Sequence, residues 1–494
     1  MIPFGEWAPD RADFGNAATV ATNVIPKSDE TYGPFSDLST VSDALTARCQ
    51  GAFAGRDSDG NVTNFSGDAS KLYRMVTLTQ TDISRSAGYA TVNDATWRFC
   101  QYGNRVIATN FADEIQSYVM GSSSIFANLS SGAPKARHVA VINPGFVMVG
   151  NTYDSVDGNV PNRVWWSEYL DPTSWPTVGT AAAQAVQSDY NDIPTGGWVQ
   201  AITGAVGGAA GAVFMDTAIY RMDYEGPPTV FRFTEVERLR GTPAPNSVIN
   251  VGPFAAYLGE DGFYMFDGSQ SRAIGNSKVD KTFYADLDQS YFHRISGAAD
   301  PVNKLLIWAY PGSGHSNGNP NKLIIFNWES GRWSEAAINC ELIFRALSTG
   351  YTLDGLDTLG YTLETLPFSL DSRVWTGGRL ILSGFDAVHK LGYFNGSNLA
   401  ATIETGEFPQ SQELMYVDGI RPMVDGGTVT AAVGYRATPS ASISYTSATS
   451  AGDDGVCPQR ISARYARARV SIAAGGSWTH AQGIEPRMTP DGER

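Results

Sequence analysis

The chain has little of what most enzymes and membrane proteins are made from. Only four cysteines occur in 494 residues, Cys49, Cys100, Cys340 and Cys457, and no two stand in a CxxC pair. Such scatter excludes a zinc ribbon or a disulfide framework and predicts reduced, buried thiols. The five histidines, His138, His293, His315, His389 and His480, lie too far apart for metal spacing, and neither HExxH nor GxSxG is present. No apolar run approaches the roughly 20 residues that span a bilayer. The stretch 199–215 is broken by glycines, and the N-terminus lacks a basic start followed by an apolar core. These absences predict a soluble chain made in a cytosol, with no membrane insertion. Charged residues are scarce at 17%, and the net charge is −15. An acidic surface gives phosphate no counterion-release affinity, so tight nucleic-acid binding is not expected.

What the chain has in quantity is glycine, 52 residues, and aromatics, 11%. From about residue 50 to 405 they fall into a recurring unit: an apolar run, a Gly- or Asp-rich turn, and a second apolar run ending on an aromatic. The clearest copy is 255–258, 259–262, 263–266. Others pair 105–108 with 115–118, 212–215 with 219–222, 323–328 with 331–333, and 380–382 with 391–394. Repeated hairpins of this kind predict an all-β fold built as a β-propeller of about six to eight blades. Candidate blades fall near 49–95, 96–135, 136–195, 196–245, 246–295, 296–345 and 373–405. Helix is expected only at 181–187 and 280–288.

Three segments break the pattern. Residues 1–48 read as an extended N-terminal arm with isolated aromatics, Phe4, Trp7, Phe14, Tyr32 and Phe35. The arm either docks on a partner or closes the propeller against its own body. Residues 346–372 repeat Tyr-Thr-Leu-acidic at Tyr351 and Tyr361 and read as a projecting insertion whose leucines, Leu356, Leu359 and Leu363 among them, need a covering surface. Residues 406–494 alternate cleanly and predict a small C-terminal β platform or sandwich. Arg467 and Arg469 lie two apart and share one strand face there, suited to a solvated face or an inter-subunit salt-bridge row.

Other motifs reduce to structure. Asp57-Ser-Asp-Gly-Asn opens like a calcium loop, but position twelve is Asp68 where a glutamate is needed, so a hairpin turn is expected. Gly204–Gly211 is glycine-rich without the GxGxxG or GK[ST] pattern. Ser155-Val-Asp157-Gly158 and 327–333 fall short of the Ser-x-Asp-x-Gly-x-Thr-Trp box of sialidase-type propellers, and Trp328 and Trp333 read as plugs between blades. No catalytic, metal or cofactor set is assigned, and the chain is not read as an enzyme.

Several segments nevertheless resemble, in order, the tail nozzle proteins of short-tailed phages, also called packaged-DNA stabilisation or tail tubular B-type proteins. They are Met-Ile-Pro-Phe4-Gly-Glu-Trp7-Ala-Pro-Asp10, Asn23-Val-Ile-Pro26 and Tyr32-Gly-Pro-Phe35. Further on come Arg163-Val-Trp-Trp-Ser167 with Asp171-Pro-Thr-Ser-Trp175, Tyr224-Glu-Gly-Pro-Pro228 and Val279-Asp-Lys-Thr-Phe283. Pro367-Phe-Ser-Leu-Asp371 with Gly377-Gly378, and Trp478-Thr-His-Ala-Gln-Gly483, complete the series. The resemblance implies a structural virion protein: a hexameric ring below the portal and adaptor that retains packaged DNA and conducts it during ejection, with tail fibre or needle proteins as further partners. Double-stranded DNA would pass without tight binding, along a wall of neutral or negative charge. Phe4, Trp7, Tyr32, Phe35, Leu356, Leu359, Leu363, Arg467 and Arg469 are the expected subunit or partner contacts. The alternative is a polysaccharide-acting or host-recognition propeller on a phage tail.

Overall fold

The computed structural model describes residues 1–11, 16–348, 378, 380–408 and 414–491. Most of it is a seven-bladed β-propeller of four-stranded antiparallel blades. Blade 1 is Gly51–Arg56, Val62–Gly67, Leu72–Val76 and Thr79–Asp82. Blade 2 is Arg98–Tyr102, Arg105–Thr109, Gln116–Val119 and Ala127–Asn128. Blade 3 is Lys135–Ile142, Phe146–Asp154, Gly158–Trp166 and Asp189–Asp192. Blade 4 is Val199–Thr203, Gly211–Met215, Ala218–Gly226 and Val230–Arg238. Blade 5 is Ile249–Asn250, Ala255–Leu258, Phe263–Phe266 and Ser271–Ala273. Blade 6 is Ser296–Asp300, Leu305–Tyr310, Lys322–Asn327 and Trp333–Ala337.

Blade 7 takes three strands from the C-terminal side, Leu342–Leu347, Leu380–Phe385 and Lys390–Asn398. Its outer strand is Ser36–Ala44, from the N-terminal segment. The first strand of blade 7 lies against the first strands of both blade 6 and blade 1, so the ring is closed. Joining the N-terminal segment to the last propeller strands in one blade removes the open edges a linear array would expose.

The core is divided among seven buried clusters, one for each gap between blades. Phe65, Trp97 and Tyr118 fill blades 1–2, and Ile107, Val147 and Trp175 fill blades 2–3. Phe146, Trp166 and Val213 fill blades 3–4, and Phe214, Tyr257 and Phe266 fill blades 4–5. Phe263, Trp308 and Trp333 fill blades 5–6, Ile307, Ile343 and Leu382 blades 6–7, and Phe344, Phe385 and Tyr73 blades 7–1. Trp333 is the expected plug, its ring 5.1 Å from Phe263 and 6.2 Å from Trp308. Trp328 is only partly buried, edge-on to Phe254 at 6.0 Å. At the glycine-rich 204–211 turn, Gly207 has φ +54°, and a Cβ there would stand 1.6 Å from the carbonyl oxygen of Asp267. Only glycine lets that turn of blade 4 meet blade 5. The Asp57 loop is a hairpin turn: the carboxylate accepts the N–H groups of Asp59 and Asn61.

The C-terminal residues form a two-sheet sandwich that also takes in the N-terminus. One sheet continues from the outer strand of blade 6 through Val20–Thr22, Ala401–Glu404, Tyr465–Ile472 and Val429–Arg436. The other runs Val24–Pro26, Tyr32–Pro34, Ala481–Pro490, Met415–Val424 and Cys457–Ala463, with Ile2–Pro3 on Ala481–Pro490. Val433 and Val470 of the first sheet share a core with Val417, Ile420 and Ile484 of the second. The described residues of 1–48 therefore run along the chain's own body, the second of the two expectations for that arm. Ala401–Glu404 belongs to the sandwich, so the propeller ends near Asn398 rather than 405. Among the described residues the two α-helices are short, Ala181–Ala185 and Asp280–Asp286. Among the described residues no helix is long and apolar enough to cross a membrane.

Candidate functional site

The expected contact residues fall into three groups. Phe4, Trp7, Tyr32 and Phe35 are all buried inside the chain. The Tyr32 hydroxyl accepts the Trp7 N–H and donates to the Gly5 carbonyl, both at 3.0 Å. Phe35 packs edge-on against Phe394 of blade 7, centroids 5.6 Å apart. These four aromatics are apolar area used internally, and they offer no surface to a partner; Phe14 lies outside the described residues. Leu356, Leu359 and Leu363, with nearly all of the 346–372 insertion, lie outside the described residues.

Arg467 and Arg469 do share a face, but it is turned onto carboxylates. Arg467 Nη1 is 3.2 Å from Glu404 Oε1 and its Nη2 is 3.2 Å from Glu407 Oε1. Arg469 Nε is 2.6 Å from Glu404 Oε2, and its guanidinium lies 3.9 Å over the Tyr445 ring. Arg436 Nε is 2.7 Å from Glu407 Oε1, and Thr19 Oγ1 donates to Glu404 at 2.9 Å. Arg467 is buried, so it serves neither as a solvated face nor as a row open to another subunit. The cluster binds the N-terminal strand to the sandwich.

A second concentration of polar groups, which no sequence pattern announced, lies at one mouth of the propeller axis. The loop 92–96 is tied to the segments that precede blades 5 and 6. Thr96 Oγ1 donates to Asn246 Oδ1 at 3.3 Å, and Arg294 Nη2 donates to Asn93 Oδ1 at 3.3 Å, so blades 2, 5 and 6 are laced together. His293 Nε2 is 3.3 Å from Asp94. Beside this lacing is a cavity of about 280 Å³, walled by Arg137, His138, Asn151, Trp198, Asn246 and Phe292 among others. Burial and the nearby charges of Arg98 and Arg137 hold the His138 imidazole well below its ordinary pKa, so it is neutral. The signal in sequence was faint: Arg98 and Arg137-His138 each sit in a blade's innermost strand, where apolar residues are the rule.

The remaining histidines have carboxylate neighbours: His315 with Asp288 at 3.0 Å, His389 with Glu341 at 2.6 Å, and His480 with Asp29 at 3.2 Å. Among the described residues no group of three or more His, Cys, Asp or Glu is placed to hold a metal ion.

No family model matches the chain, and no curated protein does. Among solved structures it is similar to the extracellular domain of the putative hybrid two component system BT4673 from B. thetaiotaomicron, at 11% identity and TM-score 0.41 over 78% of this chain and 41% of that one. It is also similar to the computationally designed Ika8 protein, at 8% identity and TM-score 0.36 over 72% of this chain and 99% of that one. A third is the Neurospora crassa Pan2 WD40 domain, at 7% identity and TM-score 0.37 over 72% and 94%. The chain spans less than half the length of the first of these. The fold itself rests on the sheet order: seven four-stranded blades in a ring closed by a strand from the N-terminal segment.

Proposed function

We propose that this chain is a structural component of a phage tail, the nozzle ring that closes the portal–adaptor channel, retains packaged DNA and conducts it during ejection. One observation carries the reading. The segments that resemble nozzle proteins are spread over the sequence, yet five of them meet in one place. Phe4 and Trp7, Val24, Tyr32, Val279 and Phe283, and Trp478 belong to a single buried cluster. Asp10 fastens the corner by capping the helix Asp280–Asp286, its carboxylate accepting the N–H groups of Lys281 at 2.8 Å and Thr282 at 2.9 Å. A resemblance carried by residues that build one joint concerns architecture rather than chance composition.

On this reading the protein acts without catalysis or cofactor. Identical subunits, six by the resemblance, repeat one heterologous interface around a closed ring. The adaptor and portal lie above it, and fibre or needle proteins attach to it. The net charge of −15 suits a wall past which duplex DNA slides without being held. Its place is the virion tail, after synthesis in the host cytoplasm. Native mass measurement of the purified assembly tests the proposal: a hexamer of the 53.0 kDa chain is expected. A monomer or trimer that binds host cells directly would refute it.

The axial cavity favours a second reading, a host-recognition propeller. A glycan-cutting enzyme would need two carboxylates flanking the scissile bond. Asp94 is the one carboxylate in the cavity wall, which speaks for binding over hydrolysis.

A further inference from the structure

We propose that the axial cavity is a binding site for a small organic anion, a carboxylate or phosphate carried on a sugar-sized ring. The inference concerns the single chain and holds whether or not that chain assembles into a ring.

The first observation is a missing counter-ion. Arg98 and Arg137 stand on the innermost strands of blades 2 and 3, which touch each other. Nε and Nη2 of Arg98 and Nε of Arg137 are sealed from solvent and donate to no acceptor. Arg137 has only the face of Phe111, 4.4 Å from its guanidinium carbon. Burial alone lowers the pKa of both, to about 10 for Arg98, and no carboxylate opposes it. Two buried arginines elsewhere show the contrast: Arg163 has Asp154, Asp157 and Asp192, and Arg467 has Glu404 and Glu407. Both side chains are half-buried, and Arg137 lines the cavity, where an incoming carboxylate or phosphate supplies the charge it lacks.

The second observation is an unused acceptor. Asn151 is 2% exposed and lines the cavity, and its Oδ1 has no hydrogen-bond partner. Its amide nitrogen reaches the Val199 carbonyl at 3.4 Å. A buried acceptor left open calls for a donor, and a ligand hydroxyl is one. Trp198 stands at the rim, 53% exposed, where its ring can cover the apolar face of a sugar. Asp94 is at the outer edge beside His293, its side chain 76% exposed, so the anionic end is directed inward to Arg137. The cavity, about 280 Å³, is at the small end of ligand-site volumes and suits one ring.

The test is thermal shift and calorimetric titration of the full chain with glucuronate, glucose 6-phosphate and neutral glucose, against sodium chloride at matched ionic strength. At least one charged sugar should raise the melting temperature and quench Trp198 fluorescence, and glucose should do neither. The tighter of the two tells carboxylate from phosphate. Arg137→Gln should weaken binding on the order of tenfold or more, and Arg137→Lys less. Asn151→Ala, which leaves the charge in place, is the second variant should Arg137→Gln fail to fold, and it too should weaken binding. No stabilisation beyond the salt control by either charged sugar, or undiminished binding in the folded variants, would overturn the proposal.

Discussion

Replacing Tyr32 with phenylalanine tests whether the N-terminal segment is a wall of the protein rather than an arm held out for a partner. The substitution removes one oxygen and leaves the ring in a fully buried site. That oxygen satisfies two backbone groups, the Trp7 N–H and the Gly5 carbonyl, each at 3.0 Å. In Tyr32→Phe both lose their partner, the Trp7 N–H in a buried place and the Gly5 carbonyl in a part-buried one. A buried group deprived of its hydrogen bond costs about 1–3 kcal/mol, offset in part because the hydroxyl no longer has to be desolvated. The expected loss is about 2 kcal/mol, read as a lower urea midpoint with an unchanged slope. Tyr153→Phe is the control. Tyr153 is 43% exposed, and its variant should lie within about 0.5 kcal/mol of the parent. Equal midpoints for the two variants would refute the claim that Phe4, Trp7 and Tyr32 are packed into the body.

Three further outcomes follow from buried groups. Burial, with the charges of Asp10 and Asp261, pushes the Asp280 carboxyl up to about 7, above an unfolded value of about 3.9. A raised acid stabilises fully below its unfolded pKa and loses that contribution as pH rises through the folded one. Asp280→Asn should therefore gain on the parent between about pH 4 and 7, by at most about 4 kcal/mol, in a pH series of urea midpoints; parallel curves would contradict this. Arg467→Met strips Glu404 and Glu407 of a buried partner and should cost about 3–5 kcal/mol in the same assay. Burial raises the thiols of Cys49, Cys100 and Cys340, to about 12 for the last two. A thiolate-trapping reagent should leave all three unmodified until the chain unfolds, and fast labelling of native protein would contradict their placement.

The blades were legible because each is local. Ala255–Leu258 and Phe263–Phe266 are joined by four residues, and their apolar runs and tight turn announce a hairpin. The closure of blade 7 was not. Ser36–Ala44 reads Ser-Asp-Leu-Ser-Thr-Val-Ser-Asp-Ala, with no clean apolar alternation, and it pairs with Lys390–Asn398 some 350 residues away. Pairing at that separation is decided by the whole ring and not by local propensity. The strand Tyr465–Ile472 shows the same limit at one site. Alternation placed Arg467 and Arg469 on one face, but that the face meets Glu404 and Glu407 depends on a sheet assembled from three distant segments. The axial cavity was hidden for the same reason: Arg137, Asn151 and Asn246 are unremarked positions until the ring brings them to one cavity. Phe4, Trp7, Tyr32 and Phe35 carried a true signal, apolar area needing cover, whose source lay in the chain itself.

The claim that this chain is a tail nozzle is tested most directly by electron microscopy of the virus particle with the chain traced in the map. Six copies in a closed ring beneath the adaptor, with duplex DNA on the ring axis and no basic side chains lining its lumen, is the predicted result. Copies attached singly or in threes at the tail periphery, or a particle without the chain, would contradict it.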